Sequence, residues 1–78
     1  MTLTLAQLQR GQKAIIKDFN VDEIPLKLLE MGCLPGNEVE LLQTAPFGDP
    51  LYITVNDSHV AIRLETAKEI GIEIINKL

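Results

Sequence analysis

Apolar residues alternate with polar ones in three stretches of this chain and recur at helical spacing in a fourth. Glu38-Val39-Glu40-Leu41 alternates, Leu51-Tyr52-Ile53-Thr54-Val55 puts Leu51, Ile53 and Val55 on one face, and His59-Val60-Ala61-Ile62-Arg63 turns Val60 and Ile62 inward. Alternation of this kind marks a half-buried strand. Lys13 to Phe19, with Ile15, Ile16 and Phe19, reads as an earlier strand, and Ile72-Glu73-Ile74-Ile75 as a last one. Ile24, Leu28, Leu29 and Met31 are instead three to four residues apart, which predicts a helix over Asp22–Met31. Asp22 is placed to cap it, Glu23 suits the positive end of its dipole, and Pro25 falls in the first turn, where a missing N–H costs little.

The punctuation agrees with this division. Gly32 is placed to end the helix in a left-handed conformation. Pro35-Gly36 favours a tight turn with glycine at the positive-φ position. Ala45-Pro46-Phe47-Gly48-Asp49-Pro50 cannot continue a central strand, and Asn56-Asp57-Ser58 is a hairpin turn between two alternating stretches. Leu3, Leu5 and Leu8 form a helical or extended lead-in closed by Gly11. Glu65 to Ile70 makes one or two helical turns, after which Gly71 releases the chain into the last strand. Five short strands, one helix and a helical turn near the C-terminus leave little room for crossovers. They predict a mostly β protein, a small SH3-like antiparallel barrel, whose closure would remove exposed sheet edges.

Composition narrows the picture. With 78 residues the chain is one domain spanning 1–78, and a chain of this size buries only about 60 per cent of its unfolded surface. Cys33 is the only cysteine, which excludes an internal disulfide and a cysteine zinc knuckle, so the core must be aliphatic. The net charge is -4, and the bases Arg10, Lys13, Lys17, Lys27, Arg63, Lys68 and Lys77 form no run. Nucleic-acid or anionic-membrane binding, which relies on clustered Lys and Arg, is disfavoured. No apolar run approaches the roughly 18 residues of a membrane span. The opening Met1-Thr2-Leu3-Thr4-Leu5 lacks the features of an export signal, so the expected location is cytoplasmic.

Three segments together resemble a known family. Leu28-Leu29-Glu30-Met31-Gly32-Cys33-Leu34-Pro35-Gly36 resembles the FeoA signature of a helix ending in LxEMG followed by xPG. Ala45 to Pro50 is similar to the family's APFGDP loop, and Ala61-Ile62-Arg63 with Ala67 and Ile70 to its closing segment; Leu5, Leu8 and Gly11 match its opening. The resemblance implies an SH3-like barrel that acts with a FeoB-type ferrous iron transporter carrying a cytoplasmic G-protein domain. It also implies a fold shared with the C-terminal module of iron-dependent repressors. Lys27 departs from the pattern, since many relatives carry arginine there; lysine keeps the charge but loses bidentate reach.

Candidate chemistry is sparse. Cys33 reads first as a small buried hydrophobe; the sharper alternative is a metal ligand shared with His59, which would need carboxylates such as Asp57 to join. Glu38 and Glu40 share one side of a strand, where a pair of carboxylates can act as acid and base, but such a pair is more often a solvated rim. No nucleophile–base–orienter set is visible, so there is no catalytic residue and the chain is not expected to be an enzyme. The proline-bracketed loop is different. Phe47 either folds back on the barrel or stands as a stiff apolar knob for a partner.

The expected contact residues are Lys27, Met31, Pro46, Phe47 and Asp49, with no cofactor. The expected function is that of a cytoplasmic accessory protein modulating a FeoB-type transporter by protein–protein contact at the inner face of the membrane. One alternative is a sensor or delivery module that binds Fe²⁺ or Zn²⁺ itself. Another is a detached SH3-like module of an iron-dependent repressor, which lacks any DNA-binding helical segment and could not bind DNA alone.

Overall fold

The computed structural model describes residues 3–76; Met1, Thr2, Leu78 and the scattered base Lys77 lie outside them. Six antiparallel strands form one rolled sheet: β1 (Leu3–Thr4), β2 (Lys13–Phe19), β3 (Glu38–Thr44), β4 (Leu51–Val55), β5 (Ser58–Ile62) and β6 (Ile70–Ile74). Their spatial order is β1-β6-β2-β3-β4-β5. Two short helices, α1 (Leu26–Glu30) and α2 (Leu64–Ala67), lie in the connections.

The alternating stretches do what their pattern dictates. Leu51, Ile53 and Val55 of β4 are buried against Val60 and Ile62 of β5, while His59 and Ala61 face outward. β2 has the predicted bounds, with Ala14 and Ile16 buried and a register shift between Ile16 and Asp18 that leaves Lys17 as the extra residue. β3 runs to Thr44, beyond the expected Leu41, because a shift between Leu41 and Gln43 absorbs Leu42 and lets pairing with β4 continue. The core is aliphatic. Leu5, Ile16, Ile53, Ile62 and Ile70 are almost wholly enclosed, each contributing on the order of 1.5–3 kcal/mol.

Three expectations are corrected. The helix does not run from Asp22 to Met31: a 3-10 turn over Val21–Glu23 comes first, Ile24 is extended, and α1 begins only at Leu26. The cause is Pro25, whose ring disfavours helical backbone at the preceding residue, so the proline stands at the N-cap and not within the first turn. The side chain that caps is Asn20, which accepts the Asp22 N–H at 3.0 Å. Gly71 is not a break either. It sits inside β6, without a left-handed backbone, paired with Thr4 of β1 and Asp18 of β2. Finally, the lead-in adds a sixth strand, β1, followed by a 3-10 turn over Leu5–Gln7 that buries Leu5. The sheet is rolled but not sealed: among the described residues β5 pairs only with β4.

Candidate partner-binding groove

Position along the barrel is set by the corner after α1. The Cys33 N–H donates to the Leu28 carbonyl at 3.0 Å and the Gly32 N–H to that of Leu29 at 3.1 Å, the paired bonds of a Schellman stop. Gly32 takes φ +105°, and a Cβ there would lie 2.9 Å from the Asn56 Cβ of the β4–β5 turn. The missing side chain thus serves the backbone and lets two turns touch. The Asn37 side chain closes the corner by donating to the Gly32 carbonyl at 2.7 Å.

This corner fixes α1 opposite β5, and the two wall a groove of about 410 Å³. Buried Leu28, Val60 and Ile62 supply its floor with half-buried Met31, and exposed Lys27, His59 and Arg63 stand around it. Among the described residues no acidic side chain lines it, although the chain as a whole carries -4. Glu65 approaches Arg63 at 3.7 Å, but both are exposed and such a pair holds weakly. The arrangement offers an apolar trough with a cationic border. It suits recognition of a complementary surface.

The loop between β3 and β4 stands beside one end of this trough. The Gly48 N–H donates to the Ala45 carbonyl at 2.8 Å and the Ala45 N–H to that of Pro50 at 3.1 Å, and the Asp49–Pro50 peptide is cis. Asp49 does not serve its own turn. Its Oδ1 accepts the Leu64 N–H at 2.9 Å, tying the loop to the first residue of α2 next to Arg63. Phe47 is 99% exposed, so it does not fold back on the barrel.

Of the residues picked out from sequence, Lys27, Met31 and His59 are brought together in the groove, whereas Pro46 and Phe47 project from the loop. Cys33 is fully buried in the core, and burial pushes its thiol above its ordinary value. Glu38, Glu40 and Asp57 border a separate polar hollow with Lys13, Glu40 lying directly across from that lysine. Among the described residues no three His, Cys, Asp or Glu side chains are grouped to hold a metal ion. Among them, too, no helix is long and apolar enough to cross a membrane. Sequence reasoning missed Arg63 and Thr66 as lining residues; the only available signal was their place just after the edge strand, which requires knowing the strand order.

Comparison with known proteins places these features. The chain is 33% identical over 75 residues to an Fe(2+) transport protein A/Fe(2+) transporter FeoB fusion protein of Porphyromonas gingivalis, covering 95% of this chain and 9% of that protein. The crystal structure of Stenotrophomonas maltophilia FeoA complexed with zinc, described as a procaryotic SH3 domain protein, superposes with a TM-score of 0.77. It is 28% identical, over 91% of this chain and 89% of that one. T. acidophilum IdeR shares the fold at a TM-score of 0.81 with 18% identity, over 95% of this chain and 34% of its own. Residues 3–74 match the FeoA domain, so the chain belongs to the FeoA family, linked to ferrous iron transport, with its SH3-like fold.

Proposed function

We propose that the chain is a cytoplasmic accessory protein of ferrous iron uptake that modulates a FeoB-type transporter by protein–protein contact, without turning over substrate. The observation that carries this reading is the open apolar groove between α1 and β5, bordered by Lys27, His59 and Arg63, with no acidic side chain in its lining among the described residues. Exposed Phe47, held on a loop anchored through Asp49, adds a second apolar contact beside it. A rigid aromatic presented this way loses little entropy on binding. The fusion of the two components in the P. gingivalis relative supports the choice of partner, and the transporter's soluble G-protein domain is the contact to test first.

One cysteine enclosed in the core and one exposed histidine on a separate element support contact over metal capture as the reading of this chain. Dialysed protein should therefore hold no stoichiometric iron or zinc. Elemental analysis finding one tightly held metal, lost in Cys33→Ser or His59→Ala, would replace this reading with the metal-binding one. The direct test is titration against the G-protein domain together with rescue of iron uptake in cells lacking the native protein. Folded Lys27→Glu and Phe47→Ala variants should each weaken binding about tenfold or more, the loss expected from one buried aromatic or one paired charge. Full rescue by both variants would remove the reading.

A further inference from the structure

The groove has one wall that side chains alone do not explain. Five consecutive residues, His59 to Arg63, line it, although alternate side chains of a strand point to opposite faces. The four that belong to β5, His59 to Ile62, can all border one groove only if the edge of that strand is itself the wall, which Arg63 then continues. β5 is the last strand of the sheet, paired with β4 and nothing else among the described residues.

The hydrogen-bond phase of that edge follows from the turn. Asn56 and Asp57, at φ 53° and 65°, form a two-residue hairpin loop, in which the flanking Val55 and Ser58 exchange hydrogen bonds. Bonded and non-bonded pairs alternate along an antiparallel ladder. Val60 and Ile62 therefore bond to Ile53 and Leu51 of β4, whereas His59 and Ala61 turn their N–H and C=O groups outward. Neither His59 nor Ala61 has another backbone partner among the described residues.

We infer that the groove receives an extended segment of a partner protein as an added strand on β5, with apolar residues alternating with acidic ones. Two N–H and two C=O groups of His59 and Ala61 would set its register, Leu28 and Met31 would cover its apolar side chains, and Lys27 and Arg63 would meet its carboxylates. Strand addition draws affinity from main-chain bonds and specificity from alternate side chains. A second copy of this chain is the weaker occupant, because edge-to-edge pairing of two copies would set the same cationic borders against each other. This deepens the contact reading above and rests on it for the partner's identity.

The test is NMR titration of the full chain with a synthetic capped peptide of alternating Glu and Val, against its Lys and Val counterpart. Saturable shifts and slowed hydrogen exchange at the His59 and Ala61 amides are expected, with the lysine peptide at least tenfold weaker. Ala61→Pro should leave the thermal midpoint nearly unchanged, since that N–H bonds to nothing among the described residues, and should abolish the titration. Should that variant fail to fold, the Lys27→Glu/Arg63→Glu pair decides: its preference should invert toward the lysine peptide. Equal binding of both peptides, no saturable shift with either, an unaltered preference in the charge-reversed pair, or Ala61 amide exchange unaffected at saturation would each overturn the inference. Edge protection that grows with protein concentration alone would assign the groove to a second copy and overturn it too. No transporter enters this titration, so its failure removes strand addition while the uptake assay still judges the contact reading.

Discussion

The corner from Leu28 to Gly36 and the loop from Ala45 to Pro50 are written in the same residue types, glycine and proline around one unusual side chain, yet they end in opposite places. In the corner the unusual side chain, Cys33, is wholly buried, and helix-end N–H groups and the Gly32 carbonyl are paired within it. In the loop Phe47 is 99% exposed, and two local backbone bonds are joined to the rest of the fold by one long-range bond between Asp49 and Leu64. The first segment is built into the fold. The second is held by the fold and presented to solvent. Turn-forming composition therefore marks where the chain bends, while the neighbours that converge on the bend decide whether it becomes architecture or surface.

Several substitutions would break or sharpen that contrast. Gly32→Ala should have the largest effect, about 3 kcal/mol, because strain at positive φ adds to a 2.9 Å clash with the Asn56 Cβ, which cannot swing away. Gly36→Ala shares the strain at φ +95° but meets nothing within 4 Å, so about 1 kcal/mol is expected. Equal shifts in denaturant midpoint would mean that packing against the hairpin turn contributes nothing. Asp49→Ala should cost about 1 kcal/mol by unpairing the Leu64 N–H, and should loosen the loop. Hydrogen exchange at Leu64 reports that directly; unchanged protection there would sink the anchoring role.

Cys33 gives a smaller, pH-dependent effect. Burial raises its pKa in the folded chain, so the unfolded chain releases the proton first. Stability should be unaffected by this thiol at neutral pH and fall as pH climbs from the ordinary thiol range through the folded value. Alkylation of the native protein should be slow and should speed up in denaturant; rapid native labelling would place the thiol at the surface. Phe47→Ala comes last. With the ring in solvent, it should change stability by less than about 0.5 kcal/mol, and a large fall in thermal midpoint would return the residue to the core.

Legibility followed the range of the interaction. Alternation located β4 and β5, and the glycine positions at 32 and 36 were readable because left-handed backbone is a local demand. The helix start was misplaced because several weak signals at Asp22, Glu23 and Pro25 pointed one way, while the constraint of proline on Ile24 outweighed them. Gly71 was misread because a glycine flanked by two strands looks like a break until both partners, Thr4 and Asp18, are known. Lys27 and Met31 were found through resemblance, and their meeting with Arg63 depends on strand order, which no local pattern encodes. The Asp49–Leu64 bond, spanning fifteen residues, was invisible for the same reason.

The strand order also sets a timetable. β3, β4 and β5 are joined in sequence by short turns, so their pairing can form early and locally. β2 and β6 must bring Ala14 beside Ile74, roughly sixty residues apart. Closing so long a loop costs about 2 kcal/mol more than closing a hairpin of four. The meander should therefore acquire amide protection milliseconds before the β2–β6 ladder in a pulsed hydrogen-exchange experiment, leaving a nascent chain whose C-terminal strand is not yet available with half a barrel already formed.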